Sequence, residues 1–261
     1  MELHQYQVSA FTTRQFGGNP AAVVPLEEWL PAELMLAIAA ENNLSETAFY
    51  VVDGETIGLR WFTPAVEVDL CGHATLATAH VLFNELGSEA ERLRFTTRSG
   101  ELGVTRNDQG ICLDLPAIPV VEVELDSKLV AALGGAPCQA YSSSCNIYRY
   151  ETETEVRQLQ PDMRVLLAAS DRASIVTAPG TDVDFVSRFF GPQVGIDEDP
   201  VTGSAHCALT PLWAQRLGKN ELLARQVSSR VGELACELAG DRVRLTGSCV
   251  SFMRGTIQVE Q

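Results

Sequence analysis

The chain has 261 residues, 46% of them hydrophobic and 20% charged, which excludes a disordered tail and leaves room for one large or two small packed domains. Nineteen Lys and Arg stand against 34 Asp and Glu, a formal charge of −15, so nucleic acid and anionic membrane surfaces are repelled at long range and neither is an expected partner. Seven scattered Cys (71, 112, 138, 145, 207, 236, 249) form no C-x-x-C pair, and residues 1–6 carry no basic-then-apolar leader; reduced thiols in a cytoplasmic protein are expected.

In chain order, the first element with a clear signature is a helix over 31–42, with Pro31 in its first turn and Leu34, Met35 and Ile38 on one face. Glu46 follows between that helix end and an apolar strand. Residues 70–84 then run without a charge, and a helix uncharged all round belongs inside a protein. Strands follow at 93–97, 101–106 and 110–115, separated by Arg98-Ser99-Gly100 and Asn107-Asp108-Gln109-Gly110. Pro116-Ala117-Ile118-Pro119 interrupts the pattern and marks a boundary, giving halves 1–117 and 118–261, with the last strand free to return to the first half. A second uncharged run covers 201–215, and strands are expected at 234–238, 243–245, 249–253 and 256–259. Pro211 inside the second run should kink the helix or free the Cys207 carbonyl.

The two halves resemble each other. Arg60-Trp61-Phe62-Thr63-Pro64-Ala65-Val66-Glu67-Val68-Asp69 aligns with Arg188-Phe189-Phe190-Gly191-Pro192-Gln193-Val194-Gly195-Ile196-Asp197, and after three extra residues Cys71-Gly72-His73-Ala74 aligns with Thr202-Gly203-Ser204-Ala205. Duplication is the economical explanation. Each uncharged helix opens on a glycine turn, where first-turn N–H groups lack internal partners and carry partial positive charge. Two such ends facing each other would clamp a carboxylate; equally, the glycines could serve only close packing. Glu46 suits general acid/base work if desolvated, or is an ordinary solvated helix-end residue. His73 and Asp199 flank the glycine turns and Ser204 opens the second helix. Cys71 reads either as a thiolate at a helix start or as an inert buried thiol. Neither Cys71 with His73 nor His206 with Cys207 has a four-ligand spacing, so no metal is expected.

Phe16-Gly17-Gly18-Asn19-Pro20-Ala21, Ser45-Glu46-Thr47-Ala48-Phe49, Phe62-Thr63-Pro64, Asp69-Leu70-Cys71-Gly72-His73-Ala74-Thr75 and Asp199-Pro200-Val201-Thr202-Gly203-Ser204-Ala205 resemble, in order, the motifs of the PhzF family of phenazine-biosynthesis-like isomerases. The resemblance implies an α/β fold like diaminopimelate epimerase, with two pseudo-symmetric halves, each a curled, mostly antiparallel sheet around a central helix. It implies a homodimer and cofactor-free proton transfer at carbon of a small carboxylate-bearing metabolite. By motif, Glu46 is the acid/base, His73, Asp199 and Ser204 assist, and Asn19, Gly72 and Gly203 bind the anionic substrate. Related epimerases use two thiols; here the second slot holds Thr202, which argues against a two-thiol mechanism. A one-thiol racemase led by Cys71 and a non-catalytic binding module remain as alternatives.

Overall fold

The computed structural model describes residues 1–260. Its internal contacts divide it into two units, Met1–Asp114 with Thr246–Gln261, and Leu115–Leu245. Each mixes strands with a few helices, the α/β class expected.

In the first unit, strand Glu2–Ala10 pairs antiparallel with both Cys249–Gln258 and Asn19–Leu26. Asn19–Leu26 lies parallel to Glu46–Asp53, joined to it by helix α1, Ala32–Asn42. Glu46–Asp53 pairs antiparallel with Thr56–Phe62, which runs parallel to Arg92–Thr97. The crossover between those two is helix α2, Gly72–His80, continued by a π-helical turn at Val81–Glu85. Every residue from Gly72 to Ala79 is buried, as an uncharged helix requires. The hairpins at 92–116 close as expected, and 249–258 forms one continuous strand rather than two.

The second unit repeats this order of contacts. Gln139–Ser142 pairs antiparallel with Asn146–Arg149, which lies parallel to Ser174–Pro179. Ser174–Pro179 pairs antiparallel with Phe185–Gly191, and that strand runs parallel to Glu221–Gln226. The last crossover carries the central helix Gly203–Leu217. Parallel neighbours need a crossover connection, and both units place their buried helix in the equivalent one. Pro211 sits inside this helix. The Cys207 carbonyl, four residues earlier, instead accepts from the Ile118 N–H at 3.0 Å, so the orphaned acceptor is satisfied as Pro geometry demands.

Three short helices that hydropathy periodicity does not reveal cover the second unit's core: α3 (Ser127–Leu133), α4 (Glu153–Gln158) and α5 (Met163–Ala169). Their signals lie in the caps. Asp126 and Asp162 accept from first-turn N–H groups, and Thr152 with Glu155 forms a capping box. With the intervening helices numbered, the second central helix is α6.

The structure also moves the three-residue insertion in the repeat. Arg60 makes a bidentate pair with Glu67 at 2.7 and 2.8 Å and lies over the Phe62 ring. Arg188 does the same with Glu198, at 2.8 and 3.0 Å, over Phe190. Glu67 therefore corresponds to Glu198, and the extra residues lie in the turn around the short 3-10 helix Pro192–Val194 rather than after Asp197. What both copies keep is the ion pair bracing the turn before the buried helix.

The two braces differ in backup. Arg98 also reaches Glu67 at 3.2 Å, whereas Arg188 is the guanidinium on Glu198 and additionally donates to the carbonyls of Val156 and Leu159. Arg188→Ala should cost about 3 kcal/mol by stranding a partly buried carboxylate and two carbonyls, and Arg60→Ala only about 1–2 kcal/mol. Urea unfolding of both variants checks the order; equal losses would contradict it.

Candidate active site

The turn at Phe16-Gly17-Gly18 sets the first site residue. Phe16 and Gly18 both have left-handed backbone, φ 65° and 62°, and a Cβ on Gly18 would lie 2.1 Å from the Ala10 carbonyl oxygen. Only glycine fits there, and the chain re-enters the sheet at Asn19, opposite Ala10. Two residues on, Ala21 faces Glu46 across the parallel contact. Glu46 is thus the first residue of its strand, and His73 is the second residue of α2.

These elements bring Asn19, Glu46, Cys71 and His73 together. Asn19 and His73 are buried, at 0% and 3% exposure, and the Glu46 side chain keeps 13%. The Asn19 side-chain amide lies against His73 Nδ1, 3.1 Å away. His73 Nε2 faces Glu46 Oε2 at 3.1 Å. Neither Nε2 nor Oε2 makes a well-directed hydrogen bond among the described residues, so the pair is a close contact and not a clamp. Cys71 Sγ lies 3.5 Å from His73 Nδ1. Burial alone would push the His73 pKa down, but the Cys71 sulfur and the Glu46 carboxylate hold it well above the ordinary range. Burial, reinforced by the Glu46 charge, pushes the Cys71 thiol up to about 11. Glu46, Cys71 and His73 each offer a donor atom within 4.8 Å of the other two, which makes them the candidate metal ligands among the described residues.

In the second unit, Thr202 stands where the first has Cys71, and its Oγ1 donates to Asp199 Oδ2. Gln226, fully buried, accepts from the Thr202 N–H at 2.8 Å and donates to the Asp199 carbonyl at 2.7 Å. Sequence reading missed Gln226; a glutamine ending a strand carries no signal until the chain closes around it. Ser204 is exposed at the start of α6. Neither Cys71 nor Thr202 caps its helix with its side chain. His206 is a structural group: it is fully buried, its Nδ1–H donates to the Thr202 carbonyl at 2.8 Å, and its ring lies 5.9 Å from that of Phe185.

Comparison with known proteins decides the family. Residues 8–255 match the model of the phenazine biosynthesis-like proteins, PhzC-PhzF. The chain belongs to this family. It is 52% identical over 260 residues to an uncharacterized isomerase of Pseudomonas aeruginosa, covering 99% of this chain and 100% of that protein. A PhzF-family crystal structure from Enterococcus faecalis superposes with a TM-score of 0.96 at 46% identity, over 99% of this chain and 100% of the other. A predicted epimerase from P. aeruginosa shares the fold at 19% identity, TM-score 0.74, covering 99% and 100% of the two chains. The fold expected from the sequence motifs is therefore the fold of this PhzF-family member.

Two expectations follow from the titrating groups. With its pKa at about 11, roughly one Cys71 in 10⁴ is thiolate at pH 7, against a few per cent for a free thiol. Iodoacetamide at pH 7 should label the half-buried Cys138 and Cys145 before Cys71 by mass spectrometry, and early Cys71 labelling would contradict the assignment. Burial also holds His206 down at about 4. Between pH 6.5 and 4 the unfolded chain binds a proton that the folded one does not, so stability falls as pH drops through that window, by about 3 kcal/mol in all. His206→Asn should flatten the stability–pH slope there, measured by urea unfolding at several pH values; an unchanged slope would remove His206 as the cause.

Proposed function

We propose that this chain is a cofactor-independent isomerase that moves a proton between carbon positions of a small carboxylate-bearing metabolite, with Glu46 as the acid/base. The observation that carries the reading is the buried contact between Glu46 and His73, brought together by a strand start and a helix start 27 residues apart. Membership of a family whose 52% identical relative is named an isomerase supports it.

In this mechanism the Glu46 carboxylate takes a proton from one carbon and returns it at another. Removing a proton leaves negative charge on the substrate, and one carboxylate in a largely dry site can accept a proton at one carbon, exchange it with solvent through its 13% exposed edge, and return a proton at the other. His73 stays beside Glu46 throughout, its ring fixed by the Asn19 amide, and stabilises the carboxylate whenever it is ionised. Backbone N–H groups at Gly72–His73 hold the substrate's anionic group. Asp199, oriented by Thr202 and Gln226, and Ser204 assist proton transfer or orient the substrate. A Cys71-led racemase is less favoured because its thiol is buried and protonated at neutral pH.

The test is a metabolite pool incubated with the enzyme in deuterated water. Wild type should give a product with deuterium at carbon, and Glu46→Gln, which keeps the shape but accepts no proton, should lose about 10²–10⁴ of the rate. A near-normal rate in a folded Glu46→Gln variant would overturn the role given to Glu46.

A further inference from the structure

The contact between Glu46 and His73 has a feature that proton transfer alone does not use. Their facing atoms are 3.1 Å apart and buried, yet neither is aimed into a directed hydrogen bond. Cys71 Sγ belongs to the same cluster, with one donor atom from each of the three residues within 4.8 Å of the others. We infer that Glu46, Cys71 and His73 form a capture site for one thiophilic divalent cation such as Zn²⁺.

The donor set is one sulfur, one imidazole nitrogen and one carboxylate oxygen, which suits Zn²⁺ or Co²⁺ and disfavours Mg²⁺ or Ca²⁺. Donors around a tetrahedral zinc ion lie roughly 3.3–3.6 Å apart. Glu46 Oε2 and His73 Nε2 are already near that spacing at 3.1 Å, and the Cys71 sulfur, 3.5 Å from Nδ1, has to turn toward Nε2 to join them. His73 ligates through Nε2 with its remaining proton on Nδ1, for which the neighbouring Asn19 amide turns its oxygen to accept; a ligating histidine that donates through its other nitrogen is the common arrangement in metal sites. The Glu46 side chain, 13% exposed, marks the way in. As the metal enters, the Cys71 S–H proton and the His73 Nε2–H proton leave to solvent, and S–metal and N–metal bonds form with no change of oxidation state. Three protein ligands leave a fourth position for water or for a substrate carboxylate. A metal on Glu46 occupies the lone pair that would take the substrate proton, so the occupied site is a blocked one. That consequence rests on the role proposed above for Glu46; the binding itself does not.

The experiment is a titration of the full chain, reduced and stripped by chelator, with Co²⁺ alone and then with Zn²⁺. One equivalent of Co²⁺ should produce a thiolate-to-cobalt charge-transfer band, which Zn²⁺ should abolish by displacement. Cys71→Ser and Cys71→Ala should lose the band, the second variant guarding against a fold effect of the first. Glu46→Gln should keep it with binding weakened roughly tenfold or more. No band up to millimolar Co²⁺, or a band that survives both Cys71 substitutions, overturns the site. Because no substrate is present, this outcome is independent of the deuterium experiment: a failure here leaves Glu46 as acid/base untouched, and a failure there leaves the metal site standing.

Discussion

Two buried helices, α2 with no Asp, Glu, Lys or Arg and α6 with only Arg216 in its last turn, set the terms for everything else. A helix that is apolar all round has no face to give to water, so its sheet must curl until every side is covered. In the first unit this is complete: Gly72 to Ala79 are all buried. The connection that meets the requirement at least expense in chain is a crossover between parallel neighbours, and both units use it at the same place in the strand order. Burial of the helix also buries its first turn. Neither Cys71 nor Thr202 supplies a side-chain cap; His73, two positions into α2, inherits a desolvated setting, whereas Ser204 at the matching place in α6 is exposed.

Register shows how a duplicated scaffold became chemically one-sided. Phe62 pairs with Thr47, and its counterpart Phe190 pairs with Ser174, so Glu46 corresponds to Ala173. With Glu67 matched to Glu198, Val68 corresponds to Asp199, Cys71 to Thr202 and His73 to Ser204. The copies agree where they brace the fold, at the Arg–Glu pairs and the glycine starts. They differ at Glu46 and Ala173, Val68 and Asp199, Cys71 and Thr202, and His73 and Ser204. Thr202 illustrates the exchange: a hydroxyl in a thiol slot cannot serve as a thiolate base, but it can donate to the neighbouring Asp199.

Much of the fold was legible because its signals are local or periodic. The uncharged runs, the hairpin turns at 98–100 and 107–110 and the Pro211 interruption all act over a few residues, and the Ile118 contact to the Cys207 carbonyl is the consequence Pro211 foretells. Helices α3, α4 and α5 escaped because six or seven residues are too few to show a period; their caps were the only evidence. The insertion was misplaced because side-chain likeness at Val66 and Val194 imitates homology, whereas the Arg188–Glu198 pair depends on a distance no string displays. The candidate residues Glu46 and His73 were visible as motif members. Their 3.1 Å contact and the Asn19 support were not, since these depend on which strand start lies against which helix start.

Three glutamates in this molecule make the case for which one is suited to carry a proton. Glu67 and Glu198 are each gripped by a guanidinium through two hydrogen bonds. Arginine never gives up its charge, so such a carboxylate is stabilised ionised and is a poor proton acceptor; Arg60 indeed holds Glu67 below the usual range, against the opposing pull of burial. Glu46 pairs with no guanidinium among the described residues. It faces an imidazole, whose charge is conditional, and a thiol that stays neutral at ordinary pH. An acid/base must be comfortable in both of its states, and a partner that can itself gain or lose a proton permits this where a fixed cation does not. The same conditional partners explain why the cluster would admit a metal ion: groups not already saturated by a permanent charge have lone pairs to give.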